Sequence, residues 1–221
     1  MTWIKICGMT NLEDALAAAD AGADAVGFVL AESPRRIEPP LVAAIVTHLP
    51  AAIEKVGVFV NERPSRIREI VKQTGLNAVQ LHGDEPADFA EQLFPGTAAE
   101  RPRVYRALSM KTIFSAANAT AFLRVHRVKQ IFDALLVDSG SPNRGGTGFT
   151  FDWERARPFI SGLKKTGKVI VAGGLTPENV ARAIEIFRPW GVDVATGVES
   201  TPGKKDHEKI RAFVEAVRKA K

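Results

Sequence analysis

Short apolar runs rich in β-branched residues recur along the chain, each followed by a Gly, Asn or Asp turn and then by a segment whose apolar residues fall at helical spacing. Eight such units can be traced. Strands are predicted at 3–7 (WIKIC), 24–30 (DAVGFVL), 54–60 (EKVGVFV), 77–81 (NAVQL), 103–108 (RVYRAL), 133–138 (DALLVD), 168–173 (KVIVAG) and 192–196 (VDVAT). Between them lie helix signals. Thr10-Asn11-Leu12-Glu13 reads as a capping box opening a helix through about Ala21, with Gly22 placed just past its end. Pro64, Pro86 and Pro177 stand where helices should begin, and Asp152, Thr176 and Asp206 are further candidate caps. Strands that are short, nearly all apolar and separated by helices indicate a parallel sheet covered on both faces. The expected fold is therefore α/β, a single-domain (β/α)8 (TIM) barrel over residues 1–221. An open doubly wound sheet is the rival. Eight regular repeats without a linker, composition break or low-complexity tract favour closure.

Composition changes this picture little. With 45% hydrophobic and 25% charged residues, the chain is ordinary for a globular protein. A net charge of +5 raises the possibility of a nucleic-acid partner. Against it, the basic residues are scattered among 25 acidic ones, and the densest cluster, Lys204, Lys205 and Lys209, reads as a solvated face of the last helix. The single cysteine, Cys7, cannot form an internal bridge, and the first residues lack a secretory pattern, so a cytoplasmic location is expected. No apolar run has the length of a membrane span, so no membrane partner is expected. Monomer and homodimer both remain open.

In a barrel of this kind the active site sits at the carboxyl ends of the strands, which makes the polar residues closing each apolar run the candidates. Those positions carry Cys7, Arg35, Asn61, Gln80 with His82, Arg106, Asp138, Gly173-Gly174 and Thr196-Gly197. The glycines after the seventh and eighth strands stand where such barrels bind phosphate, because backbone N–H groups can approach an anion there. Each loop alone could be a tight turn; together they favour a phosphate site. Gly145-Gly146-Thr147-Gly148 lacks the lysine of a P-loop and reads as a flexible loop near the substrate. Cys7 closes the first strand shortly before a capped helix, whose N-terminus is expected to lower its pKa and suit it to act as a base or nucleophile. A buried structural cysteine is the alternative. Asp138 closes an apolar strand, where a partly apolar setting should raise its pKa and suit a general acid; a loop cap is the alternative.

Along nearly its whole length the chain resembles the phosphoribosylanthranilate isomerases of tryptophan biosynthesis. The blocks that carry the resemblance include Lys5-Ile6-Cys7-Gly8, Ser33-Pro34-Arg35, Val79-Gln80-Leu81-His82-Gly83, Leu136-Val137-Asp138-Ser139, Ala172-Gly173-Gly174-Leu175, Gly197-Val198-Glu199-Ser200 and Pro202-Gly203-Lys204-Lys205-Asp206. The resemblance implies an Amadori rearrangement of the aminoaldose N-(5'-phosphoribosyl)anthranilate to the aminoketose, with a phosphosugar substrate and no cofactor or metal. In the family's scheme the aspartate matching Asp138 protonates the furanose oxygen and the cysteine matching Cys7 removes the C2 proton. Arg35 matches the arginine that meets the anthranilate carboxylate, and Asp193 matches the partner of a sugar hydroxyl. His82 and Gln80 are expected to line or orient the substrate, while His48, His126 and His207 are expected at surface positions. Two departures stand out. Ala195-Thr196-Gly197 replaces a family pattern that often has two serines before the glycine, and the 94–103 stretch is long. Other phosphate-binding barrels, an indoleglycerol-phosphate synthase or a pentose-phosphate epimerase, call for a catalytic lysine or metal ligands instead of this pair. A non-catalytic phosphosugar-binding barrel is the reading from a different class.

Overall fold

A computed structural model describes residues 1–86, 88–94, 101–110, 132–139 and 151–220. Eight parallel strands close into a barrel: β1 (Trp3–Cys7), β2 (Ala25–Val29), β3 (Glu54–Phe59), β4 (Ala78–Leu81), β5 (Arg103–Ser109), β6 (Ala134–Asp138), β7 (Val169–Val171) and β8 (Gly191–Val194). Each strand pairs with its successor in sequence. Closure is made by β8 against β1, in a register running from Trp3↔Gly191 to Ile6↔Val194. All eight predicted strands are present, most of them a residue or two shorter than the apolar runs that announced them.

Side chains alternate across each strand. Ile4, Ile6, Val26, Phe28, Val79 and Leu81 point outward, into a core shared with the helices. Inward, Ala25, Val56, Ala78, Tyr105, Ala134, Leu136 and Ile170 fill the barrel, with Trp3 and Trp190 against them at the end where the strands begin. The helices of the outer ring include α1 (Leu12–Asp20), α2 (Pro39–Val46), α3 (Pro64–Thr74), α4 (Phe89–Leu93), α5 (Trp153–Lys164), α6 (Val180–Phe187) and α7 (His207–Lys219). A short hairpin, β9 (Glu199–Thr201) with β10 (Lys204–Lys205), precedes α7. Arg218 of α7 donates to the Thr2 and Gly22 carbonyls and to Asp24, tying the last helix to the start of the barrel.

Several local expectations need correction. Asn11, not Thr10, caps α1: its side-chain oxygen accepts from the Asp14 N–H at 2.8 Å, while the Thr10 hydroxyl donates to the Gly203 carbonyl. Pro64 opens α3 as expected, but α4 begins three residues after Pro86 and α6 begins after Asn179. Thr176 therefore sits in the preceding turn, its N–H held by the Asn179 side chain. Asp152 and Asp206 cap α5 and α7. The basic stretch is not a uniformly solvated face. Lys205 lies in the hairpin with its side chain buried, ion-paired to Glu199 at 3.0 Å, and Lys209 donates to the Glu199 carbonyl. His48 is exposed, but His207 contacts the buried carboxylate of Asp14 at 2.8 Å. His126, the Gly145–Gly148 loop and most of the 94–103 stretch lie outside the described residues. No described helix is long and apolar enough to cross a membrane.

Candidate active site

A cavity of about 820 Å³ opens at the carboxyl ends of the strands, and Cys7, Arg35, Gln80, His82, Asp138, Gly173, Gly174, Asp193, Thr196 and Gly197 all line it. The strands account for the convergence. Cys7 is the last residue of β1 and Asp138 the last of β6, so each apolar run delivers one reactive group to the rim before the chain turns away. Both residues are buried. Asn61 and Arg106 stand elsewhere. They are bound to the buried carboxylate of Glu85, through the Asn61 N–H at 2.8 Å and the Arg106 guanidinium, and do not line the cavity.

Around Asp138 the geometry forms a short chain. The Gln80 side-chain nitrogen lies 2.8 Å from His82 Nδ1, and His82 Nε2 lies 3.6 Å from Asp138 Oδ2. Gly173 is needed beside it: the residue has φ +83°, and a Cβ there would lie 2.8 Å from Asp138 Oδ1 and 2.5 Å from the Ser139 nitrogen. A larger residue would push the end of β7 off the carboxylate. Gly197 is equally confined, since its Cβ would stand 1.9 Å from the Leu175 carbonyl oxygen. The loops after β7 and β8 thus touch backbone to backbone.

Charges that the sequence reading passed over support this rim. Arg35 grips Glu199 with a two-pronged contact, Nε to Oε1 and Nη2 to Oε2, both at 2.7 Å, and Nη2 also donates to the Thr196 hydroxyl at 3.2 Å. Glu199 in turn holds Lys205. On the barrel floor, Lys5 donates to Asp193 Oδ1 at 2.7 Å. Lys5 was the missed signal most open to reading, a charged residue at the inward position of an otherwise apolar strand.

The expected lowering of the Cys7 pKa is not found. Burial pushes its thiol above the ordinary value, with Asp193 acting in the same sense and Lys5 and Lys205 against it.

The family model for N-(5'-phosphoribosyl)anthranilate (PRA) isomerase matches residues 4–216. The chain belongs to that family. Among its relatives, the N-(5'-phosphoribosyl)anthranilate isomerase of Geobacter sulfurreducens is 45% identical over 216 residues, covering 97% of both chains. That of Thermotoga maritima is 41% identical, again covering 97% of both. Among solved structures, the T. maritima phosphoribosylanthranilate isomerase superposes with a TM-score of 0.83 over 99% of both chains at 41% identity. Another isomerase structure, in complex with reduced 1-(o-carboxyphenylamino)-1-deoxyribulose 5-phosphate, is 39% identical with a TM-score of 0.79 over 99% of both chains. Members of the family are aldose–ketose isomerases of tryptophan biosynthesis.

Proposed function

We propose that this chain isomerises N-(5'-phosphoribosyl)anthranilate to the aminoketose 1-(o-carboxyphenylamino)-1-deoxyribulose 5-phosphate, with Asp138 as general acid and Cys7 as general base. The observation that carries the reading is one cavity lined by both groups and by the two glycine loops after β7 and β8. In the first step the Asp138 carboxyl gives its proton to the furanose ring oxygen. The C1–O bond breaks, and the anilino nitrogen's lone pair closes a Schiff base. The Cys7 thiolate then removes the C2 proton, leaving an enolamine that tautomerises to the ketone. One group must begin protonated and the other ionised, so the surroundings have to separate their titrations.

The remaining residues fit binding roles. Arg35 uses Nε and Nη2 on Glu199 and Thr196, leaving Nη1 for the anthranilate carboxylate. Its guanidinium is oriented by those contacts, which suits a planar anion. Gly173, Gly174 and Gly197, with the Thr196 hydroxyl, are assigned to the phosphate, where close backbone approach matters more than side chains. Asp193 is assigned to a sugar hydroxyl, and His82 with Gln80 to orienting Asp138 and the sugar. A soluble cytoplasmic location fits the chemistry, and the single thiol of the chain is then kept reduced.

The test is the loss of phosphoribosylanthranilate fluorescence on turnover. Cys7→Ala and Asp138→Asn should each lower kcat by about 10²–10⁴-fold with circular dichroism unchanged. Near-normal turnover by either folded variant would remove that residue from the mechanism.

A further inference from the structure

β1 turns two functional groups into the barrel, Lys5 and, two residues on, Cys7. Lys5 is completely buried. Its ammonium is anchored by Asp193, and its charge acts on the Cys7 thiol two residues along the same strand. Gly27, the partner of Cys7 across the β1–β2 ladder, makes room for both: a Cβ there would lie 2.7 Å from the Cys7 sulfur and 3.2 Å from Lys5 Cε. A buried ion pair is a poor device for stability, because well-packed apolar residues of similar volume often do as well or better. Its place directly beneath the thiol therefore calls for a chemical reason.

We propose that Lys5 is a positioning residue for Cys7: its ammonium, fixed by Asp193, balances the charge of the thiolate and holds the sulfur where it meets the substrate carbon. The proposal rests on the reading of Cys7 as the base. Four charged groups act on the sulfur from the elements around it: Lys5 on β1, Asp193 on β8, Lys205 on β10 and Arg35 after β2, while His82 and Asp138 line the same cavity from β4 and β6. Arg35 and Lys205 share Glu199 and reach the sulfur through space. Of these three cations Lys5 alone shares the strand of Cys7, and its charge weighs most on the sulfur. Burial pulls Lys5 down, but Asp193 and Cys7 outweigh it and hold the ammonium above its ordinary value, so it stays charged. Burial disfavours the thiolate, and the fixed ammonium of Lys5 offsets part of that cost.

Cys7 is the sole cysteine of the chain, so iodoacetamide alkylation followed against pH reads this thiol alone. In Lys5→Met the alkylation midpoint should rise by roughly one to three pH units, the reach of an opposite charge at contact distance. At pH 7 kcat should fall by about tenfold or more and recover as the pH is raised, with KM little changed. Lys5→Arg should restore most of the midpoint. Should Lys5→Met fail to fold because Asp193 is left unpaired, Asp193→Asn and the double variant Lys5→Met/Asp193→Asn provide the same comparison. An unshifted midpoint in any folded variant lacking the ammonium overturns the proposal, as does a loss of kcat equal at every pH. Failure of the underlying reading looks different. Full turnover by Cys7→Ala removes the base and leaves the alkylation shift standing, whereas an unshifted midpoint with Cys7→Ala inactive removes Lys5 alone.

Discussion

Glu199 answers two buried cations at once, the guanidinium of Arg35 and the ammonium of Lys205. Burial alone pushes its carboxyl up, but Arg35 and Lys205 outweigh that and hold it below the ordinary carboxylate range. Replacing it by Gln leaves both cations without a counter-charge. Glu199→Gln should therefore lower the unfolding free energy by about 3 kcal/mol in a urea titration. It should also raise KM, because the guanidinium loses the fork that aims it. Arg35→Lys is expected to raise KM as well, since an ammonium cannot make both prongs of the contact. Arg35 itself was readable from Ser33-Pro34-Arg35, whereas its dependence on Glu199, 164 residues away, was not. A motif shows which side chain reaches a ligand; the partner that orients it belongs to another part of the chain.

Helix ends illustrate the reverse case, in which local chemistry is nearly sufficient. Asn11 binds Asp14 twice, by accepting from its N–H and by donating to its carboxylate. Asn11→Ala should lower stability by about 1 kcal/mol, measured by chemical denaturation. A Thr-Asn pair offers two adjacent capping residues, and the choice between them was made by Gly203, whose carbonyl takes the Thr10 hydroxyl. At the end of α6, Arg188 adopts φ +43° in the left-handed region, where a Cβ is strained. It is exposed, so little packing is lost on changing it. Arg188→Gly should then stabilise the protein by about 1 kcal/mol, raising Tm by roughly 2–4 °C in a thermal scan. The strand positions were equally plain, because all-apolar runs mark strands buried on both faces. The hairpin of β9 and β10 was not, since three and two residues carry no periodicity to read.

The barrel divides its labour between its two mouths. Opposite the cavity, Trp3 and Trp190 stack with centroids 5.0 Å apart, and Lys168 lies 4.5 Å over the Trp190 ring. Trp3, Lys168 and Trp190 do not line the cavity. Trp190→Ala should cost about 2 kcal/mol of stability, less than for a fully buried Trp, and leave kcat unchanged. Acid should unfold the molecule through carboxylates such as Glu199 and Asp14. Burial pushes Asp14 up, but the Lys205 N–H, His207 and Asn11 outweigh it and lower its pKa in the fold. A depressed folded pKa gives stability that is fully present above the unfolded value, about 4 for a carboxylate, and is lost as the pH falls through the folded value. Unfolding free energy should thus decline below about pH 4, and the decline should be shallower in Glu199→Gln, which has one such group fewer.

Composition and periodicity were enough to specify the eight strands, and the thiol and carboxyl that close β1 and β6, because apolar runs and the turns that end them are set over a few residues. Closure supplied the rest. Lys5 meets Asp193 across 188 residues and Asp14 meets Lys205 across 191, contacts that exist once β8 has paired with β1. The electrostatic setting of Cys7 is divided in the same way: Lys5 stands two residues away on its own strand, but the burial and the charges of Asp193 and Lys205 come from distant parts of the chain, so a local reading of a helix start did not give the direction in which its thiol is pushed.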